Sequence, residues 1–481
     1  MMQAHAHELP VGLPVVLDRE VRRFEGDTVL LGGDPRRLLR LRPSRGLDLN
    51  PSAARNELPA RRLVRTLVDG GLAHPRPHHE PVQDLTVIIP VRDRTQELER
   101  CLSSLVDDVR ADVQVVVVDD GSVDPAGVLA LCTRHGASVV RQIENRGPAA
   151  ARNAGVAATS SGLVAFLDSD CVVPAGWLEA LVGHFRDPAV AAVAPRVRAS
   201  PGSSLLARYA RARGPLDLGP LEARVRPGAR VAYVPTAALV VRRVALDRVL
   251  CDGPADSTRW PLDPRLRYGE DVDLVWRLHD AGWTVRYDPR TVVEHTEPER
   301  WVTWWHRKHL YGTSAAPLSV RHGDRLTPMV LPPWPTAVCV LLLARRPLAA
   351  LAVSAVPAVR LQRRLRRAGV PARASVAIAT RTTARNVVRT AAGAGGAGAV
   401  TTLPVLCLGL ALRRTRRAAA LALVAPPLLE AVSRRPRIDP VTWTVLRVLD
   451  DLAYASGVWR GCWTGRTTSP LRPRRQRPEL S

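Results

Sequence analysis

Three apolar runs in the middle of the chain end in residues that can handle charge. Leu85–Pro90 leads into Val91-Arg92-Asp93-Arg94, Val113–Val118 into Asp119-Asp120-Gly121-Ser122, and Leu163–Leu167 into Asp168-Ser169-Asp170. One aspartate in such a place is ordinarily a solvated loop acid; three in succession suggest a shared role. Asp168 and Asp170 form a D-x-D pair, two hard oxygen donors that can hold Mg2+ or Mn2+ while a diphosphate fills other coordination positions. Downstream, Glu270-Asp271-Val272-Asp273 opens a helix-like run that closes at Ala281-Gly282. Acids there either cap the helix and answer its dipole or present a general base on a rigid support. His295 follows the strand-like Thr284–Tyr287 and the segment Pro289–Glu294. It is either a structural histidine or a metal ligand returning to the D-x-D pair.

This set suits one kind of reaction. Departure of a nucleoside diphosphate builds negative charge, which a divalent metal and nearby arginines can neutralise. One carboxylate meanwhile removes a hydroxyl proton as the oxygen attacks carbon from the opposite face. A single displacement inverts that carbon, by the face-of-attack logic that separates inverting from retaining glycosidases.

The elements needed to position these groups are visible around them. Strand-like runs at Leu85–Pro90, Val113–Val118, Ser138–Ile143 and Leu163–Leu167 alternate with helix-like Gln96–Leu105 and Pro148–Ala158. That alternation predicts an α/β domain with a mostly parallel sheet, and ligands of such sheets bind beyond the carboxyl ends of the strands. A further strand-like piece, Val231–Pro235, precedes Thr236. Composition divides the chain into residues 1–81, 82–324 and 325–481. The first zone holds short strand-like pieces (Leu13–Leu17, Thr28–Leu31), a polar stretch with prolines, helix-like Ala60–Leu67 and a Pro- and His-rich linker, Pro75–Gln83. The third has no acidic residue between Asp324 and Glu430, dense arginines, and uncharged runs at Met329–Ala344, Pro347–Val359, Ala391–Leu412 and Ala418–Leu429. Only Ala391–Leu412 reaches the roughly 20 residues that cross a bilayer. Reentrant, interfacial or weakly spanning helices at the cytoplasmic side of an anionic membrane are one expectation; ordinary buried helices are the other.

Across 481 residues the formal net charge is +24, almost all of it arginine. No zinc-finger spacing, aromatic RNP-like strand or basic-plus-heptad pattern accompanies it, so no nucleic-acid partner is expected. Phosphate ligands, an anionic membrane or a coding bias towards Arg and Ala account for the charge equally well. The seven cysteines are scattered, odd in number and never in C-x-x-C spacing, against a disulfide frame or structural zinc. Residues Met1–Pro10 carry no apolar signal region.

The ordered segments LTVIIPVRDR, VVVVDDGS, ENRGPAAARNAG, VAFLDSD, YGEDVDLVWRLHDAGW and VVEH resemble the family 2 glycosyltransferases of GT-A fold, over about Leu85 to Gly312. The whole-chain layout looks like that of the mycofactocin-system glycosyltransferases, and the N-terminal zone resembles a small peptide-recognition domain of peptide-modification systems. The resemblance implies roles by position. Pro90, Val91 and Asp93 border the nucleotide pocket, and Asp119 hydrogen-bonds uracil with Gly121 and Ser122 beside it. Asn145, Arg146 and Arg152 flank the ribose and diphosphate, Asp168 and Asp170 bind ribose and metal, and His295 completes the metal site. Asp271 is the base, Glu270 its neighbour, and Thr236 lines the acceptor cleft. The implied donor is UDP-glucose, and the implied acceptor is the peptide-derived redox cofactor mycofactocin or its precursor. A lipid or cell-wall glycan acceptor is the rival within the family.

Other functions fit less well. A sugar nucleotidyltransferase needs a Gly-rich phosphate loop directly after the first strand, where this chain has Val91-Arg92-Asp93-Arg94. An inactive scaffold has no use for Asp168, Asp170, Asp271 and His295 together. Gly393, Gly395 and Gly398 spell G-x-G-x-x-G, but no strand precedes them and no acid follows about 20 residues on. Trp301, Trp304 and Trp305 are expected to pack in a core.

Overall fold

The computed structural model describes residues 8–41, 58–106, 113–252, 259–326, 330–401, 403–472 and 474–475. The polar stretch 42–57, Met329 and the first seven residues lie outside that description. Two compact units are present. One holds Leu31–Leu38 and most of the chain up to Glu297; the other takes in Arg23–Leu30 and the chain from Pro298 onward.

The first unit is built on a nine-stranded sheet. Its strands are β1 (Leu85–Val91), β2 (Val113–Asp120), β3 (Ser138–Gln142), β4 (Leu163–Leu167), β5 (Cys171–Val172), β6 (Val190–Ala199), β7 (Ala223–Val225), β8 (Ala238–Arg242) and β9 (Thr284–His295). Their order is β5-β9-β6-β8-β4-β1-β2-β3, with β7 on β9. Strands β1 to β4 are parallel, as are β6 and β9. Between these groups β8 runs antiparallel to β4 and β6. The Val- and Ile-rich runs are covered on both faces: Leu85, Val87, Ile88 and Ile89 of β1 are fully buried. Burial of each such side chain contributes about 1.5–3 kcal/mol. Four helices matter for the site: α1 (Thr95–Ser104), α2 (Pro125–Arg134), α3 (Pro148–Ala157) and α4 (Glu270–Asp280).

Two local expectations fail here for backbone reasons. The run 231–235 is irregular chain, and the strand begins only at Ala238. Pro235 has no N–H to give a ladder, so Thr236 precedes a strand rather than following one. Thr284–Tyr287 and Pro289–Glu294, read as separate pieces, are one strand. The β6–β9 register steps from Pro195–Asp288 to Arg196–Val292, so Pro289, Arg290 and Thr291 form a bulge that leaves pairing intact on both sides. His295 therefore stands at the end of a continuous strand of the main sheet.

The second unit is helical: α5 (Trp301–Thr313), α6 (Pro333–Leu343), α7 (Pro347–Arg367), α8 (Ala372–Thr401), α9 (Leu403–Ala411), α10 (Arg416–Arg434) and α11 (Pro440–Thr464). Helices α5 and α11 approach closely through glycines. A Cβ on Gly457 would collide with the His309 carbonyl, and one on Gly461 would lie 2.6 Å from the Thr313 carbonyl oxygen. Across the same contact Lys308, the sole lysine of the chain, pairs with Asp450 at 2.9 Å. The inward stripe of α5 is Trp304, Lys308 and Gly312. Trp301 and Trp305 fall to one side of it and are 48% and 38% exposed, so only Trp304 packs as expected.

Within Ala391–Leu412, α8 is described to Thr401 and α9 from Leu403 to Ala411, and Thr402 lies outside the described residues. Arg381, Arg385 and Arg389 occupy the preceding turns of α8. Among the described residues no helix is long and apolar enough to cross a membrane. Gly393, Gly395 and Gly398 lie inside α8, not at a strand-to-helix turn, so they form no dinucleotide loop.

Candidate active site

The parallel strands β1, β2 and β4 bring their acidic ends to one edge of the sheet. Val91, the last residue of β1, pairs with Asp119 on β2. The turns beyond them are tied together: the Asp93 N–H donates to Ser122 Oγ at 3.0 Å, and the Val123 N–H to Asp93 Oδ1 at 2.7 Å. These bonds hold Asp93 at φ +55°, a conformation uncommon for a residue with a side chain. Asp119, buried, accepts from the Ser122 N–H at 2.8 Å and from Arg141. Gly121 is required at its turn, since it has φ +73° and a Cβ there would lie 2.8 Å from the Asn145 nitrogen. Pro90, Val91, Asp93, Asp119, Gly121 and Ser122 thus form one connected edge.

Asp120, which the sequence reading passed over, joins that edge to the next loop. Its carboxylate accepts from the N–H groups of Arg146 and Gly147 at 2.7 and 2.9 Å. Gly147, at φ +90°, caps α3. Asn145 and Arg146 are therefore set at the mouth of a helix N-terminus, where negative charge is favoured. The exposed Arg267 reaches the same place and donates to Asn145 Oδ1 at 3.2 Å.

Arg152, on α3, is buried at 3% exposure and bridges two acids. Its Nη2 donates to Asp168 Oδ1 at 2.5 Å and its Nη1 to Glu270 Oε1 at 2.8 Å. Glu270 and Asp271 start α4 behind Gly269, which has φ +83°. Burial first, and the neighbouring Asp271 charge second, push the Glu270 carboxyl up to about 7 against the pull of Arg152. Asp271 keeps part of its surface accessible. Burial outweighs the hydrogen bond from the Val272 N–H and the attraction of Arg152, and pushes it up to about 6. The two titrate as a pair. Asp273 differs: it is fully buried and paired with Arg277 at 2.8 Å, a structural contact within the helix.

The third group surrounds the D-x-D pair. Ligand atoms of Asp168, Asp170 and His295 lie within 4.8 Å of one another. His295 faces Cys171 in the β5–β9 pairing, and its Nε2 is 3.3 Å from Asp170 Oδ1. Its Nδ1 lies 3.3 Å from Glu297 Oε1 but outside hydrogen-bond alignment. Burial works against the imidazolium, but Asp170 and Glu297 outweigh it and push His295 up to about 10. Two carboxylates and an imidazole suit a divalent cation of the Mn2+ or Mg2+ class, and binding would release the histidine proton. Arg94 Nη1 sits 2.6 Å from Asp170 Oδ2, a contact that sequence spacing gives no means of finding. Thr236 is buried one residue before Ala237, whose carbonyl accepts from the Asp168 N–H at 3.0 Å. That places it beside the Asp168 strand end.

The sequence pattern of glycosyl transferase family 2 matches residues 86–249. The pre-mycofactocin glycosyltransferase of Mycobacterium tuberculosis is 39% identical over 480 residues, covering 97% of this chain and 99% of that one. The succinoglycan biosynthesis protein ExoU of Rhizobium meliloti is 31% identical over 202 residues, covering 40% of this chain and 56% of its relative. A mannosyltransferase from Pyrobaculum calidifontis, solved with GDP-Man and Mn2+, aligns over 80% of this chain and 89% of its own at 18% identity and a TM-score of 0.43. On the full-length match above all, the chain belongs to the family 2 glycosyltransferases, as a GT-A-fold enzyme similar from end to end to a pre-mycofactocin glycosyltransferase.

Proposed function

We propose that this glycosyltransferase moves a hexose, glucose from UDP-glucose, with inversion onto a hydroxyl of mycofactocin or its peptide-derived precursor. The observation that carries the reading is the arrangement at one sheet edge. A possible Asp168–Asp170–His295 metal site and the raised Glu270–Asp271 pair are linked through Arg152. The end-to-end similarity to a pre-mycofactocin glycosyltransferase supports the acceptor.

Asp119 accepts a ring N–H of the base, while Pro90, Val91, Asp93, Gly121 and Ser122 wall its pocket. Asn145, Arg146 and the N-terminus of α3 receive the diphosphate. Asp168, Asp170 and His295 would hold Mg2+ or Mn2+, which would supply positive charge to the departing diphosphate. Thr236 lines the acceptor side. The acceptor hydroxyl gives its proton to the Asp271 carboxylate as its oxygen bonds to the anomeric carbon. The bond from that carbon to the diphosphate oxygen breaks, and the nucleoside diphosphate leaves with the electron pair. Burial keeps the proton affinity of Asp271 raised against the attraction of Arg152.

Transfer itself is the test. Purified enzyme with UDP-glucose, Mn2+ and the peptide-derived acceptor should give a hexosylated acceptor by mass, with a β anomeric proton by NMR. An α-linked product would end the single-displacement reading. Transfer only to polyprenyl or glycan acceptors would end the assignment of the acceptor.

The second unit adds a proposed attachment to the cytoplasmic face of an anionic membrane. Exposed Leu343 and Leu348 flank Arg345 and Arg346 between α6 and α7, and exposed Leu410 and Leu412 precede Arg413 and Arg414 after α9. No acidic residue offsets these arginines between Asp324 and Glu430. Each arginine near such a surface contributes about 1 kcal/mol. Full-length protein should float with phosphatidylserine vesicles at low salt and detach at high salt. Protein left in the soluble fraction at low salt would contradict the attachment.

A further inference from the structure

We propose that Arg94 is the counterion that Asp170 surrenders when metal and diphosphate arrive together, so that this one side chain couples metal binding to donor binding. This rests on Asp168, Asp170 and His295 being the metal ligands.

Asp170 is only 6% exposed, and a buried carboxylate is costly unless compensated. Among its partners are two unlike side chains, His295 with Nε2 3.3 Å from Oδ1 and Arg94 on Oδ2. His295 is buried and fixed at the end of β9. Arg94 lies 2.6 Å from Oδ2, and its side chain is 46% exposed. The backbone that carries Arg94 is firm, because the Asp93 turn before it is clamped by Ser122 and Val123. The long side chain is free to swing while that turn stays put.

A dication entering among Asp168, Asp170 and His295 draws on the carboxylate whose Oδ2 Arg94 holds, and meets a charge of its own sign there. Metal alone must therefore displace a cation into water. A diphosphate changes the balance, since its oxygens match the planar guanidinium fork as well as a carboxylate does. Arg94 then exchanges one anion for another, and the metal takes Asp170. Arg152 cannot act this way: it is buried and committed to both Asp168 and Glu270.

The test is Mn2+ binding to the full-length protein, read from the EPR signal of free Mn2+, with and without UDP and with no acceptor. Variants are compared at identical solution composition, so that complexation of Mn2+ by UDP in solution cancels. Arg94→Ala should bind Mn2+ alone about tenfold more tightly, and the enhancement by UDP should fall about tenfold, an ordinary size for ligand coupling. Arg94→Lys, which keeps the charge but loses the fork, should fall between. Circular dichroism should match the wild type, while the melting temperature should fall somewhat, because Asp170 loses one counterion. Unchanged or weaker Mn2+ binding in Arg94→Ala, with the UDP enhancement intact, overturns the proposal while leaving the metal site standing. Wild-type protein that binds no Mn2+ with or without UDP, like Asp170→Ala, overturns the metal site as well.

Discussion

Asp271→Asn should lower turnover by about 10²–10⁴-fold, the range for loss of a general base, while donor affinity stays near that of the wild type. Asparagine keeps the shape of the side chain and can still accept the hydrogen bond from the Val272 N–H, but it cannot take up the proton. The burial that raises the Asp271 carboxyl to about 6 also sets the pH dependence. A base must be ionised to act, so wild-type turnover should climb as pH rises through about 6 and level off above it. The fall on the acid side begins higher than for an ordinary aspartate. The asparagine variant should show no such rise. Calorimetry with the nucleotide separates the alternatives: collapse of donor affinity together with rate would make Asp271 structural. Glu270, raised to about 7 and hydrogen-bonded to Arg152, would then be the next residue to examine.

Much of this site could be read along the chain because its residues close apolar runs. The strands are continuous β-branched segments, and whatever follows a parallel strand lies at the same edge of the sheet. That reasoning reached Asp93, Asp119, Asp168 and Asp170 without any knowledge of pairing. It missed Asp120, because adjacent aspartates on a strand point to opposite faces and only the register shows which one ties down the Asn145 loop. It missed the Arg94–Asp170 contact, which joins residues 76 apart through the β1–β4 pairing. Only Thr284–Tyr287 reads as a strand along the chain, yet a bulge carries β9 past Pro289 to His295. In the second unit the tryptophan cluster suggested a core. The sequence shows three aromatic residues, but not that the inward stripe is Trp304, Lys308 and Gly312.

The other large effect concerns the metal. Asp170→Ala removes one donor of the Asp168–Asp170–His295 set and leaves His295 beside Glu297 with a single acid partner. Arg94 loses its carboxylate but can turn to water, so the fold should survive, as circular dichroism and melting can verify. Transfer should fall to background, because Asp170 supplies one of the three ligand atoms of the set. The most direct measurement is turnover of wild-type enzyme stripped with EDTA, then restored with Mn2+ or Mg2+, beside Asp170→Ala under the same conditions. Stripped wild type should lose transfer and regain it on addition of metal, while Asp170→Ala should stay inactive at every metal concentration. Full transfer by the EDTA-treated enzyme, or by Asp170→Ala, would contradict a metal-dependent site built on Asp170.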